Sequence, residues 1–176
     1  MNSPSGSWDL GSDSIIHTYQ TWRQTAAVLA QIPDEEVSAF LREGCTVGAY
    51  IVFPVAFHAK PTLNQARGIR AVISDRFDLT LECVRRHYRG EVSPLSDVLN
   101  AYSEFFEVFG SFDVYVSHFL LQDLIDDKGQ VQTFLPFDSF GERPIPHTVD
   151  EYREYRDASV RFVRSRNARI TQLEAE

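Results

Sequence analysis

Two cysteines, one methionine and two lysines stand in this chain of 176 residues, and each scarcity excludes something. Cys45 and Cys83 are too few for a disulfide framework, and neither belongs to a CxxC or to a His-bearing ligand spacing. Both read as free thiols. No apolar run approaches the roughly 18 to 20 residues that cross a bilayer, and Met1–Leu10 has neither a basic region nor an apolar stretch of the secretory kind. The expectation is a cytoplasmic protein without a membrane partner. GxGxxG, GxxxxGK[ST] and GxSxG are missing, as is any Ser/His/Asp set with a local signature. His17, His58, His87, His118 and His147 are scattered without HxH or HxxxH pairing, so neither a metal nor another cofactor is expected.

What the chain does have is a globular composition: 43% hydrophobic residues, 12% aromatic and thirteen Phe. At this length one domain can bury roughly 70% of the surface that its unfolded form exposes. Residues 1–11, rich in Ser, Gly and Pro, read as a flexible segment, and residues 12–176 as a single globular domain. The net charge of -8 argues against a general nucleic-acid binder. It also hides an asymmetry. Six Arg between Arg67 and Arg89 face only Asp75, Asp78 and Glu82, whereas Glu91 to Glu142 holds ten acidic residues against Lys128.

Periodicity predicts a helix over Ser12 to Ile32, ended by Pro33, and a second over Asp34 to Gly44 with an acidic start. Trp8 and Leu10 suit a short edge strand. Tyr50 to Phe53 is the best strand, and Val131 to Phe137 alternates as another. Leu63, Ala66, Ile73, Phe77, Leu81, Val84 and Tyr88 hold one stripe of a long helix, Thr62 to Arg89, with Gly68 as a kink point. Further helices are expected over Ser93 to Phe109, Phe112 to Ile125, and Thr148 to about Thr171, the last opened by a Thr148/Glu151 capping box. The fold class is α+β, predominantly α: five to six helices around one long central helix, with a small two- to three-stranded sheet.

On that long helix Asn64, Arg67, Asp75, Asp78, Glu82, Arg85 and Arg86 fall on one face, opposite the apolar stripe. The simpler reading is a solvated face laced with ion pairs. The functional reading is a polar site in which Asn64, Arg67, Asp75, Arg76, Arg85 and Arg86 bind a ligand. Asp78 and Glu82 would then be its candidate catalytic carboxylates. A straight helix places Asn64 and Glu82 roughly 27 Å apart, too far for one small ligand. Phe134 to Phe140, with three aromatics in seven residues, folds back onto the core or forms a stacking wall.

The chain resembles a family of uncharacterised bacterial proteins, mainly actinobacterial, through Ser12–Ile15 (SDSI), Ile51–Pro54 (IVFP), Asn64–Gly68 (NQARG) and Asp75–Tyr88 (DRFDLTLECVRRHY). Leu120–Leu124 (LLQDL), Phe134–Phe137 (FLPF) and Arg166–Ile170 (RNARI) extend the resemblance. It implies no activity, but it favours Asn64, Arg67, Asp75, Arg76, Asp78, Glu82 and Arg85 over other polar sets. Three functions follow. The leading one is a small binding or regulatory domain for an anionic ligand or an acidic protein surface; the others are an enzyme acting on a phosphate-bearing or nucleic-acid substrate, and a homo-oligomer whose charged faces pair between subunits.

Overall fold

A computed structural model of the protein describes residues 2–3, 6–7, 9–55, 62–67, 73, 76–140 and 145–175. Asn2–Ser3 (β1) and Gly6–Ser7 (β2) form a minimal antiparallel pair, after which Asp9–Ser14 (β3) lies antiparallel on Tyr50–Val55 (β4). Strand β4 follows from its residues. Ile51 and Phe53 are buried while Tyr50 is exposed, the period of two expected of a β-branched and aromatic run covered on one face. Leu10 lies in β3 as expected, and Trp8 lies outside the described residues.

The described residues form eight α-helices: Ala26–Leu29 (α1), Asp34–Gly44 (α2), Leu63–Ala66 (α3), Phe77–Tyr88 (α4), Ser96–Ala101 (α5), Ser103–Glu107 (α6), Phe112–His118 (α7) and Val149–Glu174 (α8). The fold is α+β, mainly α. None of these helices is long and apolar enough to cross a membrane. Helix α2 starts on Asp34, Glu35 and Glu36, whose charge complements the helix dipole. Helix α8 is the longest, at 26 residues, and opens on Thr148, whose side chain accepts from Glu151 N.

The long helix expected over Thr62 to Arg89 is two helices. Thr62 caps α3 with a complete capping box to Gln65, but the chain turns extended at Arg67 (φ -112°, ψ 149°). Arg67 pairs with Ile73 in a parallel bridge, and Arg76 is again extended (φ -124°, ψ 122°) as the N-cap of α4. The stripe is real, but two short helices share it. Gly68, the expected kink, lies outside the described residues.

Three other elements differ from expectation. Ser12 to Ser14 pair with β4, so Ser12 to Ile32 is not one helix; the chain passes through Tyr19 at φ +59° and becomes α-helical only at Ala26. Ile15, Ile16, Tyr19 and Trp22 are all buried, and that burial gave an irregular segment a helical spacing. The helix from Ser93 breaks at Tyr102 into α5 and α6, and the next ends at His118, two residues before Leu120 takes φ +56°. Val131 to Phe137 is not a strand: only Val131 makes a bridge, to Ile125, and Phe134 and Leu135 turn into the core.

Helix α4 occupies the middle of the molecule. Every residue from Phe77 to Arg85 is buried, polar ones included. A helix hidden on all sides is apolar throughout or has partners for each polar group. Here each buried charged side chain, Asp78, Glu82 and Arg85, is ion-paired.

Candidate functional site

The polar residues expected on one helix face separate into three groups. The first surrounds the break after α3. Arg67 is 5% exposed; its Nη1 donates to the Asp13 carboxylate of β3, and its guanidinium lies over the Phe53 ring at 5.8 Å. Asn64, three residues earlier, donates through Nδ2 to Ser12 O at 3.3 Å. That bond fixes the orientation of the amide, which leaves a buried Oδ1 without a hydrogen-bond partner. Tyr115, from α7, is fully buried with a phenolic oxygen likewise unpartnered, and it feels the charges of both Arg67 and Arg166.

The second group is the Arg76–Asp78 pair, both members fully buried. Residues two apart cannot meet on a helix, so the pair exists because Arg76 is extended just before α4 begins. Arg76 Nε donates to Asp78 Oδ1 at 3.1 Å, and Nη2 bonds both Asp78 Oδ2 and the Leu135 carbonyl, the latter at 3.2 Å. Phe134 N donates to Asp78 Oδ2 at 2.9 Å. Both members thus hold the segment from Phe134 to Leu135 against the core.

The third group ends α4. Glu82 accepts from Arg85 Nε (2.7 Å), Arg85 Nη2 (2.8 Å) and Arg86 Nε (2.8 Å), while Glu91 stands 3.9 Å from Arg85. Burial alone would raise the Glu82 carboxyl, but the bonds from Arg85 and Arg86 outweigh it and hold its pKa below the ordinary value. Arg86 also lies over the Phe140 ring at 5.0 Å. Phe137 and Phe140 meet edge to face at 4.8 Å, so the aromatic loop packs onto this end of the helix.

The basic excess read between Arg67 and Arg89 is met in part from elsewhere in the chain, by Asp13 on Arg67 and by Glu91 near Arg85. This is not a solvated face. Asp78 and Glu82 spend their oxygens on guanidinium and main-chain donors, an arrangement that anchors a helix and turns both carboxylates away from a reacting atom. Asp75 lies outside the described residues.

Sequence reasoning missed Asp13, Tyr115 and Arg166. Arg166 is 7% exposed and has no carboxylate partner among the described residues. It donates to Phe119 O (2.9 Å), Gly48 O (2.8 Å) and Tyr50 O (2.6 Å), binding α8 to α7 and to the strand pair. Burial lowers its pKa from the ordinary arginine value, although a guanidinium stays charged at any physiological pH. One signal was present. Arg166 falls on the same stripe of α8 as Tyr152, Tyr155, Ser159, Phe162 and Val163. Among the described residues no three His, Cys, Asp or Glu gather as metal ligands.

No curated protein and no solved structure matches the chain. A family model does, over residues 1–170, and the chain belongs to that family, DUF6994, a family of unknown function.

Proposed function

We propose that this protein is a cytoplasmic bacterial binding domain for a small ligand that carries an anionic group and a hydroxyl or amide donor, with Arg67 as its charged contact and Asn64 as its polar one. The observation that carries the reading is the buried Asn64 Oδ1 without a partner, three residues before the nine-tenths buried Arg67. A buried acceptor left unmade costs about 1–3 kcal/mol, and native proteins seldom keep one without a use for it. Arg67, held by the Asp13 carboxylate, places its charge in a low-dielectric setting, where a charge-assisted bond to phosphate or carboxylate is strongest. The buried charge of Arg166, within electrostatic reach of Tyr115, adds to the attraction for an anion. Cys45, an exposed free thiol, suits a reducing compartment.

Arg85 and Arg86 contribute less to this reading, because Glu82 holds both. The enzyme reading has less support still: it needs Asp78 or Glu82 at a reacting atom, and each faces its own arginine.

Titration calorimetry with ribose 5-phosphate and with inorganic phosphate tests the proposal. The sugar phosphate is expected to bind more tightly, with an affinity that falls as salt rises. Asn64→Ala should weaken it about twofold to tenfold, and Arg67→Lys, which keeps the charge near Asp13 but loses the fork, about tenfold or more. The proposal fails if neither compound binds saturably, or if both variants bind as the wild type does while remaining folded by circular dichroism.

A further inference from the structure

Helix α8 carries six arginines, and five are committed. Arg153 and Arg156 hold Glu36, Arg164 holds Glu43, Arg169 holds Asp123, and Arg166 serves three carbonyls. Arg161 makes no ion pair among the described residues, and it lines a cavity of about 260 Å³.

Arg161, Phe162 and Ser165 form one wall, at spacings of one and then three residues along a single side of the helix. Gln132, Thr133 and Phe134 form the other. Phe134 and Phe162 are both buried, with ring centroids 6.2 Å apart, and make an apolar floor. The second wall is fixed at both ends. Gln132 N donates to Leu124 O at 2.8 Å, and Phe134 N donates to the Asp78 carboxylate, so the buried Arg76–Asp78 pair braces this wall. Asp123 also borders the space, but Arg169 neutralises it.

Arg161, Ser165, Thr133 and Gln132 thus line one cavity with two aromatic rings, and among the described residues its one acidic neighbour, Asp123, is paired. We infer that this cavity binds a small organic oxyanion, a carboxylate or phosphate ester on one compact ring, with Arg161 gripping the charged group and Phe134 and Phe162 meeting the ring. Its volume of about 260 Å³ lies below the range typical of drug-sized pockets and suits a ligand of a single ring. This site is separate from the one at Arg67.

Calorimetry with phenyl phosphate and with benzoate, phenol serving as the uncharged control, tests the inference in wild type, Arg161→Gln, Arg164→Gln and Arg67→Lys proteins. At least one anion should bind saturably, and phenol should bind far more weakly. Arg161→Gln should weaken the anion about tenfold to hundredfold, the range of one charge-assisted contact, while Arg164→Gln and Arg67→Lys change it by less than about twofold. Arg161 is an exposed residue, so its replacement leaves the fold intact. The inference is overturned if neither anion saturates by about 10 mM, weaker than a millimolar Kd. It is overturned equally if Arg161→Gln binds like wild type, or if Arg164→Gln or Arg67→Lys loses as much as Arg161→Gln does.

Discussion

Replacing Asp78 with alanine is predicted to cost more than any surface change in this protein. The carboxylate is fully buried and accepts from Arg76 Nε, Arg76 Nη2 and Phe134 N. Its loss leaves a guanidinium with no exposure beside a carbonyl, and a buried main-chain N–H without its acceptor. Breaking a buried pair from one side costs about 3–5 kcal/mol, chiefly because the surviving charge loses its carboxylate in a low-dielectric setting. For a chain of this size each kcal/mol lowers Tm by about 2–4 °C, so the fall should be about 6–20 °C. Total stability of a domain is only about 5–15 kcal/mol, so the variant will be marginal and is best followed by urea titration in the cold.

The double variant Arg76→Met/Asp78→Asn distinguishes a buried charge from mere packing. Asparagine still offers Phe134 N an oxygen, and methionine fills much of the space of the arginine without its charge. If the cost of each single variant is an orphaned charge, the double should fall short of the sum of Arg76→Met and Asp78→Asn by about 2 kcal/mol or more. Additivity within about 0.5 kcal/mol would refute the reasoning, and so would single losses below about 1 kcal/mol.

Two further outcomes follow from titratable groups. The His87 pKa lies below its ordinary 6.5, because burial disfavours the imidazolium more than the Asn100 bond favours it, and that of Glu82 lies below its ordinary 4.5. In both cases the unfolded chain binds the proton more readily, so stability should fall as pH drops below about 6.5 and fall again below about 4.5. Urea midpoints across that range check it, and His87→Asn should remove the first decline and spare the second. A thiol-reactive disulfide reagent at neutral pH should modify Cys45, which is exposed, and leave Cys83 untouched until the protein unfolds, since burial pushes the Cys83 thiol up to about 11. Equal rates at both cysteines in the native protein would contradict that placement.

Elements decided by nearby residues were legible in the sequence. Pro33 with three acids behind it sets the start of α2, Tyr50 to Phe53 sets β4, and Thr148 sets α8. The break between α3 and α4 was not legible, and the reason is physical. An apolar stripe at helical spacing constrains which residues are buried, not whether the chain between them is continuous. What makes Arg67 and Arg76 extended is a pair of partners far along the chain, Asp13 at a separation of 54 residues and the Leu135 carbonyl at 59. No window of 11 to 18 residues contains either contact.

The same limit explains why the polar face looked solvated. On a helix wheel, a charged face turned to water and a charged face buried against matched partners are indistinguishable, since both place Asp78, Glu82, Arg85 and Arg86 opposite Phe77, Leu81 and Val84. The two differ in what they demand of the remaining sequence. A solvated face needs nothing from it, whereas a buried one needs a counter-ion or carbonyl for each charge. Here Asp13, Glu91 and Leu135 meet that demand from outside the helix. By the same reasoning, a polar group that stays without a partner in such an interior points outward to a ligand. Asn64 Oδ1 is such a group, buried three residues before Arg67, and it favours a ligand at the break after α3 over one at the end of α4, where Glu82 holds both arginines.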